Sequence, residues 1–294
     1  MAIITISRGT MSGGESLAKR LSERLSVPAV SQEILQEASS RSGISQSLLL
    51  QQLEKTKGLI HGPSPERRFY LTAIQLALAE RAQKGTFIYY GHAGHLLLKG
   101  VPQVLKVRVI APSKRRARKL TETLKISFEE AQKMIEKMDE GRIKWTRFLY
   151  NVDWRDPSLY DLVINLDAIG IESACEMILC ALSRPEFREA PESQAIIEDF
   201  ILASRVKAEL ATHNRTKGLE LEVGAEKGMV NITGSFQTGG IFPSGKHKIK
   251  SNASAPLLTE TLHDIYTMLN RYVSKIWSIL AMPIALIFSN ILYF

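Results

Sequence analysis

Apolar residues alternate along the chain between a strand-like pattern and a period near 3.6, and the alternation predicts strands separated by helices. Residues 3–7 form a short β-branched run that ends in a glycine-rich turn, and over residues 15–25 the apolar positions Leu17, Ala18, Leu21 and Leu25 follow helical spacing. A polar, helix-leaning stretch over 31–61 carries Leu48, Leu49, Leu50 and Leu53 as its apolar face. Gly62-Pro63-Ser64-Pro65 is a turn, and a helix follows with Tyr70, Ile74, Leu76, Leu78 and Ala79 as its buried side. Residues 86–90 read as a buried strand ending at Gly91-His92-Ala93-Gly94. Residues 104–110 read as a third strand, stopped by Ala111-Pro112-Ser113, and Lys114 opens a basic helix. Residues 162–165 are a fourth strand and residues 171–182 a helix. This rhythm predicts an α/β fold with a parallel sheet covered by helices on both faces.

Beyond residue 183 the pattern changes. Pro185, Pro191 and several acidic residues mark a linker. A helix over 197–210 leads to two short strands, 219–223 and 229–233, that read as a hairpin around Glu226-Lys227-Gly228. Residues 239–254, rich in Gly, Ser and Lys, read as a mobile loop, residues 257–273 as a helix, and residues 276–294 as an uncharged apolar segment. No repeats are visible.

Composition narrows the class. The chain has 294 residues, 45% hydrophobic and 23% charged, which suits a globular protein with a full core and excludes a disordered or fibrous one. Two cysteines, Cys175 and Cys180, are too few for a disulfide scaffold and wrongly spaced for a zinc knuckle. No H-x-x-x-H pair supports a histidine metal site. The N-terminus lacks the features of an export signal, so a reduced, cytoplasmic setting is expected. The net charge of +8 favours anionic ligands without choosing among nucleotides, nucleic acid and acidic lipid.

The candidate chemistry lies in Gly9-Thr10-Met11-Ser12-Gly13-Gly14-Glu15-Ser16. It fits the phosphate-binding spacing G-x-x-x-x-G-K-[ST] everywhere except the lysine, with a strand before it and a helix after it. Glycines let backbone N–H groups converge on phosphate oxygens at a helix N-terminus, and Ser16 stands where a hydroxyl would meet a magnesium ion. A carboxylate at Glu15 facing a phosphate would cost roughly 4 kcal/mol per charge pair at about 4 Å and an effective dielectric near 20. Arg8, Arg20 or a distant arginine offsets that, or Glu15 points outward. The alternative is a glycine-rich turn with no ligand.

These residues resemble the cytidylate kinase-like family of P-loop nucleoside monophosphate kinases. The match runs through Ile3-Thr5-Ile6-Ser7-Arg8, Ser12-Gly13-Gly14, Tyr90-Gly91-His92-Ala93-Gly94, Ala111-Pro112 with Arg116, Asp139-x-x-Arg142, and the long run from Asp153-Trp154 to Ile164-Asn165. The resemblance implies a P-loop kinase fold over 1–184 with ATP and Mg2+ as cofactors and a nucleoside monophosphate as partner. It implies that Ser12, Gly13, Gly14, Ser16 and Arg116 hold the donor nucleotide, with Ser16 also at the metal. Arg8 and His92 would meet the acceptor, and Asp139, Arg142 and Arg147 would belong to a lid over the reacting phosphates. The chain departs from the family pattern at Glu15, where a basic residue is usual, near Met11, where a glycine is usual, and at His92, which stands in for an arginine.

Residues 196–274, after a linker over 185–195, resemble a BON domain, a small α+β module associated with binding phospholipid or other macromolecular surfaces. The match is carried by Val206-Lys207-Ala208, Leu210 and the strand ending Val230-Asn231-Ile232-Thr233-Gly234. Residues 275–294 are open to three readings: a membrane tail anchor, a helix buried against the fold, or an altered C-terminus. Attachment to a phospholipid surface is thus one expectation. Nucleic acid is not expected as a partner, because no aromatic residue interleaves the Lys114–Lys119 charge cluster. The function expected is phosphoryl transfer to CMP or dCMP, and the alternative is a non-catalytic nucleotide-binding sensor coupled to the BON-like module.

Overall fold

The computed structural model describes residues 2–49, 65–188, 190–212, 216, 220–235 and 246–251. It divides into two units, Met1–Leu219 and Glu220–Phe294.

In the first unit five parallel strands, β1 (Ile3–Arg8), β2 (Ala29–Val30), β3 (Phe87–Tyr89), β4 (Val104–Ile110) and β5 (Leu162–Asn165), lie in the order β2-β3-β1-β4-β5. β1 is central, with Ile4 in register between Ile88 and Leu105. It is buried on both sides, as an apolar run in a parallel sheet requires. The helices are α1 (Gly14–Leu25), α2 (Gln32–Ser42), α3 (Pro65–Lys84), α4 (Gly94–Leu97), α5 (Ser113–Leu124), α6 (Phe128–Tyr150), α7 (Ile171–Leu182) and α8 (Ser193–Thr212).

Strand order and handedness decide which face each helix covers. The β1–β2 crossover runs one way along the sheet and the later crossovers run the other, so right-handed connections place their helices on opposite faces. One apolar cluster accordingly joins Ile4, Ile6 and Val107 to Leu17 and Leu21 of α1 and to Ala174 and Ile178 of α7. The other joins Ile3, Phe87 and Tyr89 to Ile34 of α2, Ile74 and Leu78 of α3 and Trp145 of α6. α5 and α6 also share a small core of their own, Ala117, Leu120, Ala131 and Ile135, against which Met11 packs.

Several elements differ from the sequence expectation, two of them beyond residue 190. The helix expected over 197–210 begins at Ser193, and Ile197 and Ile201 enter the core beside α3, so α8 belongs to the first unit and not to a separate C-terminal domain. Two further contacts fix it there: Ser193 accepts from the Gln103 amide, and Arg205 bonds buried Glu80 at 3.2 Å. The second unit shows the expected hairpin, with β6 (Glu220–Glu226) and β7 (Met229–Ser235) antiparallel around Lys227 and Gly228, both at positive φ, as a tight two-residue turn demands. The segment expected to be a mobile loop contributes a third strand, β8 (Lys246–Ser251), paired with β7. The expected helix over 257–273 and the apolar segment over 276–294 lie outside the described residues. Among the described residues no helix is long and apolar enough to cross a membrane.

Candidate phosphate-binding loop and cleft

The loop after β1 turns on two left-handed residues, Met11 (φ 59°) and Gly13 (φ 93°), and is closed by the Ser12 amide and hydroxyl, which both bond the Gly9 carbonyl, at 3.2 and 2.8 Å. Gly13 is the N-cap of α1, whose first N–H groups have no partner within the helix. Gly14 has no room for a side chain, because a Cβ there would sit 2.6 Å from Arg8 Cδ. Ser12, Gly13 and Gly14 therefore form a backbone cradle at a helix N-terminus, the arrangement that receives phosphate. Ser16 is exposed in the first turn of α1.

Glu15 does not face this cradle alone. It is exposed and pairs with Lys19 at 2.9 Å, one helical turn on. Replacing Glu15 with Gln is therefore expected to change nucleotide affinity less than about threefold, read by calorimetry, because an exposed pair contributes little. A gain above tenfold would contradict that placement.

Met11 lies near the position where the resemblance leads one to expect glycine. Its side chain docks in the α5–α6 cluster, so packing offsets the left-handed backbone. Ala93 has the same problem, at φ 52° as the N-cap of α4. Ala93→Gly is expected to stabilise the fold by about 0.5–1 kcal/mol, measured by urea unfolding, since relief of the left-handed strain exceeds the added chain entropy. Gly91 and Gly94 flank it tightly: a Cβ on either would come within 2.4 Å of the Tyr89 ring.

A cleft of about 400 Å³ opens beside the loop at the carboxyl ends of β1 and β3, where open α/β sheets bind ligands. Its walls bring together Arg8, His92 and Arg142 from the expected set with Lys137, Met134, Met138, Trp145, Trp154 and His95. Burial lowers the pKa of Arg8, and the guanidinium stands 5.4 Å from the Tyr90 ring. His92 is pushed down to about 4, first by burial and then by Arg142 and Arg8, so it is neutral at pH 7.

The remaining expected residues lie elsewhere. Arg116, expected on the donor nucleotide, is 8% exposed and is consumed by protein contacts. Its Nε donates to the Thr10 carbonyl at 2.8 Å, and its terminal nitrogens donate to both oxygens of Asp139 at 2.7 and 3.1 Å. It lies under Gly9, where a Cβ would touch Nη1 at 2.9 Å. Asp139 holds the arginines and does not line the cleft. Arg147 is exposed and pairs with Asp153 at 2.9 Å, outside the cleft wall. No group of three or more His, Cys, Asp or Glu side chains suited to a metal ion occurs among the described residues.

Behind the cleft a buried polar set escaped sequence reasoning. The Trp154 carbonyl accepts from Arg108 Nη1 at 2.5 Å and from the Tyr160 hydroxyl at 2.7 Å. Tyr160 also contacts Ser7 Oγ at 3.1 Å and His95 Nε2 at 3.2 Å. Arg108, from the middle of β4, lies 4.5 Å from the Trp154 ring on a route that fixes the chain as it returns from α6 to the sheet. A buried arginine, Arg108, two residues beyond Lys106 in an apolar β-branched run is the sequence signal for this set.

A model of the cytidylate kinase-like family matches residues 3–168, more than half of the chain. The cytidylate kinase of Ignicoccus hospitalis is 28% identical over 181 residues, 60% of this chain and 97% of that protein. The cytidylate kinase of Methanothrix thermoacetophila is 31% identical over 165 residues, 55% of this chain and 87% of that protein. A crystal structure of an uncharacterized protein from Eubacterium ventriosum aligns with a TM-score of 0.49 at 23% identity, covering 62% of this chain and 99% of that one. With the strand–loop–helix and the cleft in the positions described, the chain belongs to the cytidylate kinase-like family.

Proposed function

We propose that the protein transfers a phosphoryl group from ATP to a nucleoside monophosphate, with CMP or dCMP the first acceptors to examine. The observation that supports this reading is the cleft itself: Arg8, Lys137 and Arg142 stand around a space of about 400 Å³, and Arg8 packs against Gly14 of the backbone phosphate cradle. Phosphoryl transfer asks a protein for position and positive charge more than for covalent chemistry. The backbone of Ser12, Gly13 and Gly14 would hold donor phosphates, and the Ser16 hydroxyl would assist the metal. ATP would supply the phosphoryl group and Mg2+ would offset its charge. Arg142 reaches the cleft from α6 and would stabilise charge on the transferred group, while Arg8 orients the acceptor phosphate. Trp145 and Trp154 line the same cleft as these cations, beside Met134 and Met138.

One observation favours a second reading, the nucleotide-binding sensor. His92 stands where the family pattern carries an arginine, and its neutral ring brings no charge to the cleft. Titration of the full chain with ATP–Mg2+ and with CMP, followed by an assay for ADP, separates the two. Binding of both with turnover supports the kinase, binding without turnover supports the sensor, and binding of neither contradicts both.

A further inference from the structure

Thr10, Arg116, Asp139 and Arg142 form a closed ring of contacts between the phosphate loop and α6. Arg116 spends Nε on the Thr10 carbonyl and its two terminal nitrogens on Asp139. The Asp139 Oδ1 that accepts from Arg116 also accepts from Arg142 Nη1 at 3.3 Å, and Arg142 Nη2 donates to the Thr10 hydroxyl at 3.0 Å. Thr10 is thus engaged twice, through its backbone by one arginine and through its side chain by the other. Met11 adds an apolar tie between the same loop and the α5–α6 cluster. Of the two arginines only Arg142 lines the cleft.

We propose that Asp139 and Thr10 are positioning residues, which hold the Arg142 guanidinium at the loop edge of the cleft so that its charge is in place before a phosphoryl group arrives. This rests on the phosphoryl-transfer reading given above. An arginine side chain has several rotatable bonds, and ordering it during the reaction would raise the barrier; ordering it beforehand removes that cost. Both Asp139 oxygens already accept from guanidinium groups, so Asp139 acts through Arg142 and not on a substrate proton. The Thr10 hydroxyl fixes the second nitrogen, which sets orientation as well as distance.

Substitution of Asp139 by Asn and of Thr10 by Val, each in the full chain, tests this with two readouts. In kinetics, Asp139→Asn is expected to lower kcat roughly 30-fold while KM for ATP and CMP stays within about threefold, since a misplacement near 1 Å costs up to about 10²-fold. Thr10→Val is expected to lower kcat about fivefold to tenfold, and Thr10→Ser, which keeps the hydroxyl, to lie within about twofold of wild type. In an Arg142→Ala background Asp139→Asn should cost less than about twofold, because the residue it acts through is gone. Additive losses in that cycle would overturn the proposal. The second readout needs no turnover: in ¹⁵N-arginine-labelled protein, with Arg142 signals assigned by Arg142→Lys, guanidinium rotation of Arg142 should be slow in wild type and faster by about tenfold in Asp139→Asn and Thr10→Val. Unchanged Arg142 rotation in both variants overturns the proposal. If wild type forms no ADP, the kinase reading fails, while faster Arg142 rotation in the variants still supports the hold. Thr10 is partly exposed in a loop, so its variants carry the test if Asp139→Asn does not fold.

Discussion

Alanine at position 142 is expected to lower phosphoryl transfer about 10³-fold, with the affinity for either nucleotide changed less than about tenfold. Arg142 is the arginine that α6 brings to the cleft, 5.8 Å from the Trp154 ring and bonded to Asp139 and Thr10. Its charge is most useful when negative charge spreads over the transferred group, so its loss falls on kcat more than on binding. Losses of this size are typical for removal of a single group that stabilises a transferring phosphoryl. Lysine at 142 keeps the charge and loses the fork that reaches Asp139 and Thr10 together, so it should restore only part of the rate. Steady-state kinetics on the two variants check this. A tenfold loss or less in Arg142→Ala would remove Arg142 from the reacting centre.

Acid is expected to destabilise the first unit well above the range in which ordinary carboxylates titrate. His95 is 5% exposed, beneath the cleft, with its ring 4.7 Å from that of Tyr160. Burial, followed by the charges of Arg108 and Lys106, pushes its pKa from 6.5 down to about 4. The unfolded chain therefore binds a proton at this site between pH 6.5 and 4 that the folded chain does not, and stability rises with pH across that window. The contribution is complete above pH 6.5 and is lost as pH falls toward 4, on the order of 3 kcal/mol for His95. His92 acts in the same direction. Asp153, held down first by Arg155 and also by Arg147, loses its contribution only below its ordinary value of 3.8 and so falls outside this window. Urea unfolding at pH 7, 5.5 and 4.5 should show a progressive loss in the wild type and a shallower one in His95→Gln. Equal stability at pH 7 and 4.5 would contradict the buried, neutral assignment.

The β4–β5 side of the sheet is the easiest to read. β4, β5 and α7 begin and end where the periodicity places them, because buried strands are short apolar runs stopped by turn residues and α7 carries an uninterrupted helical stripe. α6 was the main omission. Its start is written in the capping box Ser127-x-x-Glu130, where Ser127 accepts from the Glu130 amide and Glu130 bonds back to the Ser127 amide. Its apolar positions serve two partners, however, the α5–α6 cluster and the sheet core, so no single stripe stands out. β2 is two residues long, too short for any period. β8 lies in a run of lysines, and lysine-rich edge strands read as loops because their pairing comes from the backbone.

The site was legible in part. The glycine loop follows from local chemistry, and Arg8, His92 and Arg142 do meet at one cleft. What spacing cannot convey is which cation lines the cleft and which is buried beneath the loop. Arg116 and Arg142 both occupied plausible motif positions, yet Gly9 leaves room beneath the loop and Arg116 fills it. The aromatic wall was equally hidden. Trp145 and Trp154 are buried, and the return of the chain past Arg108 and Tyr160 holds Trp154 at the edge of the cleft.

The central claim is that the cleft beside the glycine loop transfers phosphate to a nucleoside monophosphate. A coupled assay of ADP formation by the full chain, with ATP–Mg2+ and CMP, dCMP, UMP or AMP in turn, tests it most directly. The account predicts acceptor-dependent ADP formation that Arg142→Ala suppresses about 10³-fold. ADP formation that ignores the acceptor, or none with any of the four while both nucleotides bind, would contradict it.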